Sequence, residues 1–342
     1  MPQKTVLAII LNYRTADMTL QAAVATVAEM DGIAGKILIV DNDSRDGSFE
    51  NLSAAVVAKG WASDRVEVLQ SGRNGGFGAG NNVGITHGLA TGIDGHLPDY
   101  IYIQNSDAFP HDGAIQALMH YLDHNSDVGL AGSYIHGPDG DPHLTAFRFP
   151  TMAGEFEGAA RLGPVSKLLK HAIVPMPIPE TTCTVDWCAG ASVLIRREVL
   201  EQIGLFDEAF FLYFEETDLC LRAARAGWKT AYVRESCVTH IGSVSTGMKT
   251  WDRIPGFWLE SRLHYFTVNH GRLYALGATL AHLTGGAIAS VRAKLRGKST
   301  GQPKYFLIDM AKHALKTGTR GQLRKSRKIA FPKAKKALAG AE

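Results

Sequence analysis

Lys36-Ile-Leu-Ile-Val-Asp-Asn-Asp-Ser-Arg-Asp-Gly-Ser48 is an apolar, β-branched run that stops abruptly on residues suited to turns and helix caps. That pattern reads as a buried strand passing straight into the start of a helix. Outward from it the pattern repeats. Strands are expected at Val6–Leu11, Val66–Leu69, Tyr100–Gln104 and Val128–Ala131, with helical stretches near 16–30, 48–59, 79–91 and 112–123. Strand–helix alternation of this kind predicts an α/β fold, a mostly parallel Rossmann-like sheet flanked by helices. Ligands bind such sheets beyond the carboxyl ends of the strands. Three polar clusters fall there: Asp41-Asn-Asp-Ser44, Arg73-Asn-Gly-Gly76 and Asn105-Ser-Asp107.

Residues 136–182 are rich in Gly, Pro and His and read as an irregular insertion. Order returns over Val185–Ile195, followed by helices near 197–203 and 215–226 and a short strand, Thr230–Val233, leading to a loop that carries His240. Beyond about residue 256 the pattern is helical. No internal repeat is visible.

The chain has 342 residues, 45% hydrophobic and 20% charged, a globular balance. Its net charge of +3 conceals an asymmetry. From Val291 onward fifteen Lys and Arg face two acids, Asp309 and Glu342, leaving 21 bases and 31 acids before it. Such a tail is either a solvated surface or a contact for an anionic membrane, where each base gains roughly 1 kcal/mol. Nucleic acid is not expected, because the tail lacks interleaved aromatics and no nucleic-acid motif precedes it. Cys183, Cys188, Cys220 and Cys237 show no paired short spacing, and the N-terminus reads directly as a strand rather than a secretory signal. Reduced thiols and a cytoplasmic location follow, peripheral at the inner face of the plasma membrane if the tail engages lipid. The stretch Leu273–Val291 approaches a membrane span but is interrupted by His282, Thr284, Gly285 and Gly286, so an interfacial or core helix is expected.

Each chemical motif has a bland reading beside a functional one. Asp41 either caps the following helix or accepts a hydrogen bond from N3–H of a uracil or thymine ring. The glycine-dense run Asn74-Gly-Gly-Phe-Gly-Ala-Gly-Asn-Asn-Val-Gly84 allows close backbone approach to a phosphate at a helix N-terminus. It imitates a dinucleotide fingerprint, but its spacing is one residue too long and it follows the third strand, not the first. Asn105-Ser-Asp107 resembles an Asp-x-Asp element with the first Asp replaced; one carboxylate suffices for a hard ion that keeps several waters. Phe214-Glu-Glu-Thr-Asp-Leu219 sets three acids at a helix start. There they either favour the dipole or, among Phe210, Phe211, Leu212 and Tyr213, acquire raised pKa values suited to general-base work. His240 is either structural or a metal ligand. His120, His124, His136 and His143 lack ligand spacing.

Taken in order, these motifs resemble an inverting family 2 glycosyltransferase of the GT-A fold. The subgroup they look most like is the bacterial rhamnosyl- and galactofuranosyltransferases of cell-surface polysaccharide synthesis. The resemblance rests on Val40-Asp-Asn-Asp-Ser44, Asn74–Asn82, Gln104-Asn-Ser-Asp107, Asp186-Trp-Cys-Ala-Gly-Ala191, Ile195-Arg-Arg-Glu198, Gly204-Leu-Phe-Asp-Glu208, Phe211–Leu219 and His240, within roughly residues 5–245. It implies a transferase domain over 1–250, with a nucleotide-binding half (1–135) and an acceptor or catalytic half (136–250), and a helical, basic-tailed region over 251–342. It further implies that Asp41, Asp43, Arg73, Asn74, Gly75, Asn82, Asn105 and Ser106 line the nucleotide, and that Asp107 and His240 hold Mg²⁺ or Mn²⁺. Trp187 and Gly190 would face the sugar or acceptor. Glu216 would be the catalytic base, with Glu215 and Asp218 as alternative base or support; Glu stands at the base position where Asp is common. The implied partners are a dTDP- or UDP-linked sugar, dTDP-rhamnose first and UDP-galactofuranose second, and a glycan or lipid-linked acceptor. A nucleotidyltransferase would not need the Trp187 and Phe214–Leu219 segments, and a non-catalytic nucleotide-sugar-binding protein would tolerate loss of the acidic cluster.

Overall fold

A computed structural model describes residues 4–61, 65–242, 251–320 and 325–332. The amino-terminal half follows β1 (Val6–Asn12), α1 (Ala16–Glu29), β2 (Gly35–Asp41), α2 (Ser48–Ala58), β3 (Val66–Gln70), α3 (Phe77–Thr91) and β4 (Tyr100–Asn105). Then come β5 (Ala108–Pro110), α4 (Ala114–His124), β6 (Val128–His136), β7 (Ala146–Phe147), α5 (Met152–Ala160) and α6 (Gly163–Leu168). The chain continues through β8 (Cys183–Val185), β9 (Trp187–Cys188), β10 (Ser192–Arg196), α7 (Arg197–Ile203), α8 (Glu215–Arg225) and β11 (Lys229–His240). It closes with α9 (Gly256–His270), α10 (Arg272–Leu295) and α11 (Phe306–Arg320).

The large sheet runs β3-β2-β1-β4-β10-β6-β11-β5, with β8 beside β11. β3, β2, β1, β4, β6 and β11 share one direction, while β10, β5 and β8 oppose it. The mostly parallel α/β architecture is therefore as expected. Buried on both faces, residues 6–11 of β1 and 37–40 of β2 need the continuous apolar runs that revealed them. Two apolar clusters fill the two faces, one around Leu7, Ile9 and Leu11, the other around Val6, Ala8 and Ile10.

Two expectations are corrected. His240 is not in a loop: it is the last residue of a twelve-residue strand, β11. The polar run Arg234-Glu-Ser236 hid this continuation. A register shift between Val233 and Cys237 absorbs it, and pairing with β6 resumes at Cys237–Tyr134. The stretch 136–182 is also more regular than expected, because α5 packs against α10, more than a hundred residues later. There Glu155 of α5 accepts from Arg262 Nη2 at 2.8 Å and pairs with His282 Nδ1 at 2.6 Å. Among the described residues no helix is long and apolar enough to cross a membrane. The basic tail beyond 332 lies outside the described residues.

Candidate active site

The carboxyl ends of β1, β2 and β4 are tied together by a buried hydrogen-bond hub. Asn12 Nδ2 donates to Asp41 Oδ1 at 2.6 Å, while Asn12 Oδ1 accepts from Thr19 Oγ1 at 2.7 Å. Asp41 Oδ1 also accepts from Ser44 Oγ at 2.5 Å, and its Oδ2 from the Ser44 N–H at 3.1 Å. Thr15 Oγ1 reaches Ser106 Oγ at 3.1 Å, bringing in the loop after β4. Asp41 is thus a buried organiser of this edge. Asn12, which bonds Asp41, and Thr15, which bonds Asn12 and Ser106, were not singled out in the sequence. Asp43 sits in the left-handed region (φ 57°) and accepts from Arg45 Nε at 2.9 Å.

The glycine-rich run behaves differently from the expectation of a phosphate cradle. Added Cβ atoms at Gly80, Gly84 and Gly88 would fall 2.4 Å from Leu11 Cδ1, 2.9 Å from Ile9 Cγ2 and 2.3 Å from Leu7 Cδ2. A glycine every fourth residue on α3 therefore lets the helix lie flat on alternate residues of β1. Gly76 has φ +90°, and a Cβ there would overlap the Phe211 carbonyl. That carbonyl accepts the Phe77 N–H at 3.0 Å, so the first turn of α3 is closed by the Phe211 segment. Asn74 Oδ1 accepts from Asn42 Nδ2 and the Gly76 N–H, both at 3.1 Å. Arg73 pairs with Glu208 at 2.7 Å, and a Cβ on Gly75 would meet Arg73 Nη1 at 2.7 Å. Asn82 is turned inward, its amide donating to the Phe206 carbonyl at 3.0 Å and accepting the Phe206 N–H at 3.1 Å. It clamps α3 to the loop before α8.

Asp107 and His240 meet where β5 and β11 pair. His240 Nε2 stands 3.0 Å from Asp107 Oδ1 and 3.3 Å from Asn105 Nδ2, and the Gly242 N–H donates to Asp107 Oδ2 at 3.1 Å. Burial pushes the Asp107 carboxyl up, but the bond and charge of His240 and the nearby backbone N–H groups outweigh it and hold it below its ordinary range. The pair fits a hard divalent ion. Octahedral ligands at about 2.0–2.1 Å lie roughly 3 Å apart at right angles, the separation found here.

The acidic helix α8 begins after two consecutive non-glycine residues in the left-handed region, Tyr213 (φ 68°) and Phe214 (φ 70°). Such conformations cost of order 1–3 kcal/mol each and persist where surrounding structure imposes them. They aim Glu215 and Glu216 inward. Burial drives the Glu216 carboxyl up to about 7, against offsetting contributions from its own and the Gly190 backbone N–H groups. Its Oε2 is shut off from solvent with no hydrogen-bond partner among the described residues, as is Glu215 Oε2. Burial, reinforced by Glu216, raises the Glu215 carboxyl well above normal. Asp218 is different: it accepts from Arg222 Nε and Asn269 Nδ2, both at 2.8 Å, and belongs to the packing of α8 on α9. The two halves of the site share a wall. The Asn105 N–H donates to the Ala191 carbonyl at 3.1 Å, and the adjacent Gly190 N–H reaches Glu216. Trp187 stacks on Phe147 at 4.1 Å and donates from Nε1 to the Arg148 carbonyl at 3.0 Å.

A separate grouping, His111, His136 and Cys237, holds ligand atoms within 4.8 Å of one another. Cys237 and His240 are three residues apart on β11, so they project to opposite faces and this group lies outside the acidic site.

A parallel sheet carrying a carboxylate–imidazole pair at its edge and a raised acid behind a glycine turn has the architecture of a GT-A glycosyltransferase. The fold matches a mannosyltransferase from Pyrobaculum calidifontis solved with GDP-Man and Mn²⁺, at TM-score 0.51 and 15% identity, over 94% of this chain and 81% of that one. It also matches GalNAc-T7 solved with UDP, GalNAc and Mn²⁺, at TM-score 0.56 and 13% identity, over 94% of this chain and 57% of that one.

The profile of the glycosyltransferase-like family 2 matches residues 2–254, and the chain belongs to that family. It is a glycosyltransferase resembling rhamnosyltransferases. The N-acetylglucosaminyl-diphospho-decaprenol L-rhamnosyltransferase of Mycobacterium tuberculosis is 31% identical over 221 residues, 62% of this chain and 68% of that protein. The rhamnosyltransferase WbbL of Escherichia coli K12 is 26% identical over 159 residues, 46% of this chain and 58% of its own length.

Proposed function

We propose that this chain is an inverting, divalent-metal-dependent transferase that moves one sugar from a nucleotide diphosphate, dTDP-rhamnose first, to a lipid-linked glycan acceptor. The observation that carries the chemistry is Glu216: a carboxyl raised to about 7, with one buried oxygen that has no partner among the described residues, beside the Gly190–Ala191 segment whose Ala191 carbonyl accepts the N–H of Asn105, itself 3.3 Å from His240. A base near neutrality suits removal of an alcohol proton. Glu216 takes the proton of the acceptor hydroxyl while that oxygen attacks the anomeric carbon, opposite the departing phosphate. One displacement inverts the configuration. Asp107 and His240 would hold Mg²⁺ or Mn²⁺, which when bound supplies Lewis-acid compensation of charge on the leaving diphosphate. Asp218, committed to Arg222 and Asn269, supports the helix and takes no proton. The rhamnosyl donor and the prenyl-diphosphate acceptor class are taken from the mycobacterial relative's name.

The test is Glu216→Gln. The variant should lose transfer while dTDP-rhamnose with Mn²⁺ still raises its melting temperature, by the linkage that gives about 2.7 kcal/mol at a hundredfold excess over Kd. Near-normal turnover would refute the assignment.

A further inference from the structure

Helix α10 is built inside out. Its buried positions are small: Ala275, Ala278, Thr279, Gly285, Gly286 and Ala289. They let the helix press onto α5, where a Cβ on Gly285 would stand 2.6 Å from the Phe156 carbonyl oxygen. The exposed positions carry the large apolar side chains Leu273, Leu276, Leu280, Ile288, Val291 and Leu295, with Leu273 87% and Leu295 83% exposed. At 3.6 residues per turn these six fall within an arc of about 120°. No Asp, Glu, Lys or Arg occurs between Leu273 and Val291. A helix facing water shows the opposite arrangement, and an exposed apolar stripe of this kind marks an interaction surface.

The charge around the stripe says what covers it. At its carboxyl end a cavity of about 160 Å³ is lined by Arg161, Arg292, Arg296 and Lys298, with Ser299 and Thr300 and, among the described residues, no acidic one. Helix α11 adds exposed Ile308 and Leu315 beside Lys312 and Lys316. Apolar side chains flanked by bases, on a helix unable to span a bilayer, suit the boundary between headgroups and acyl chains.

We propose that α10 lies along the surface of an anionic lipid bilayer, its leucine stripe in the acyl boundary and the arginine–lysine cavity around a lipid phosphate. This docking is independent of the catalytic reading and is measured without donor or acceptor.

Flotation of the full chain with phosphatidylcholine vesicles, with and without phosphatidylglycerol, provides the test. The wild type should float with the anionic vesicles and be released by high salt. Leu276→Asp/Leu280→Asp should abolish flotation with unchanged circular dichroism. Arg296→Glu/Lys298→Glu should weaken anionic-vesicle binding about thirtyfold or more, from roughly 1 kcal/mol per base. Three results would overturn the proposal. The wild type fails to float; or the leucine variant floats normally but dissociates a wild-type dimer, making the stripe a contact between copies. The third is that inorganic phosphate binds the cavity without vesicles and the charge-reversal variant loses only that binding.

Discussion

At the scale of single residues, environment divides acids that the sequence presents as equals. Glu215, Glu216 and Asp218 stand within four positions, yet Asp218 is paired with Arg222 while Glu216 has a buried oxygen with no partner among the described residues. A base active only when ionised predicts a transfer rate that rises through about pH 7, read from a pH–rate profile of kcat/KM. The same shift bears on stability. A carboxyl raised on folding costs nothing below its unfolded value near 4.5, and the cost grows as pH rises to about 7, then stays constant. Glu216→Gln should therefore unfold at higher denaturant than the wild type at pH 8, by on the order of 1–3 kcal/mol, and not at pH 4. Asp218→Asn should behave oppositely. Breaking its buried pair should cost roughly 3 kcal/mol in denaturant unfolding while the midpoint of the pH–rate profile stays in place.

At the scale of elements, glycine placement decides how closely helices approach. Gly84 of α3 faces Ile9 Cγ2 at 2.9 Å and Val40 Cγ2 at 3.1 Å from an added Cβ. Gly84→Val should thus lower the unfolding free energy by about 1–3 kcal/mol through overpacking, measured by denaturant titration. Gly158 of α5 is the counter-case, with open space around its Cβ direction. Gly158→Ala should stabilise by about 0.5–1 kcal/mol, because only the helical entropy cost of glycine is removed. The glycine pattern was fully visible in the sequence, but its purpose was not. A phosphate and a neighbouring β1 both require absent Cβ atoms, and only the position of β1 separates them.

At the scale of the whole molecule, buried carboxylates fasten distant segments together. Asp207 accepts from His264 Nε2 at 3.1 Å on α9, and from Ser326 Oγ and the Arg327 N–H, both at 2.7 Å. Burial pushes this carboxyl up, but those donors and the Ala209 N–H overrule it and leave it well below its usual range. Its stabilisation is present above the ordinary carboxylate pKa and lost as pH falls toward the depressed value. Asp207→Asn should accordingly destabilise the protein by about 1–3 kcal/mol at neutral pH, a gap that narrows in acid when melting temperatures are compared. The Glu155–Arg262–His282 cluster does similar work between α5, α9 and α10.

The strands of the first half were legible because the buried stretches of β1 and β2 are apolar up to their last residues, Asn12 and Asp41, and the order of polar clusters that begins there was legible for the same reason. The inward turn of Asn82, the Asn12 hub and the length of β11 were not, since each depends on a partner far along the chain. By itself the sequence determined the alternating α/β plan, the charge asymmetry and the residues available for chemistry. Those follow from local periodicity and composition. Tertiary structure alone decided that burial raises the Glu216 carboxyl to about 7 while Asp218 serves packing, and that α10 turns Leu273, Leu276, Leu280 and Leu295 outward. Burial and pairing are properties of surroundings that no single segment carries.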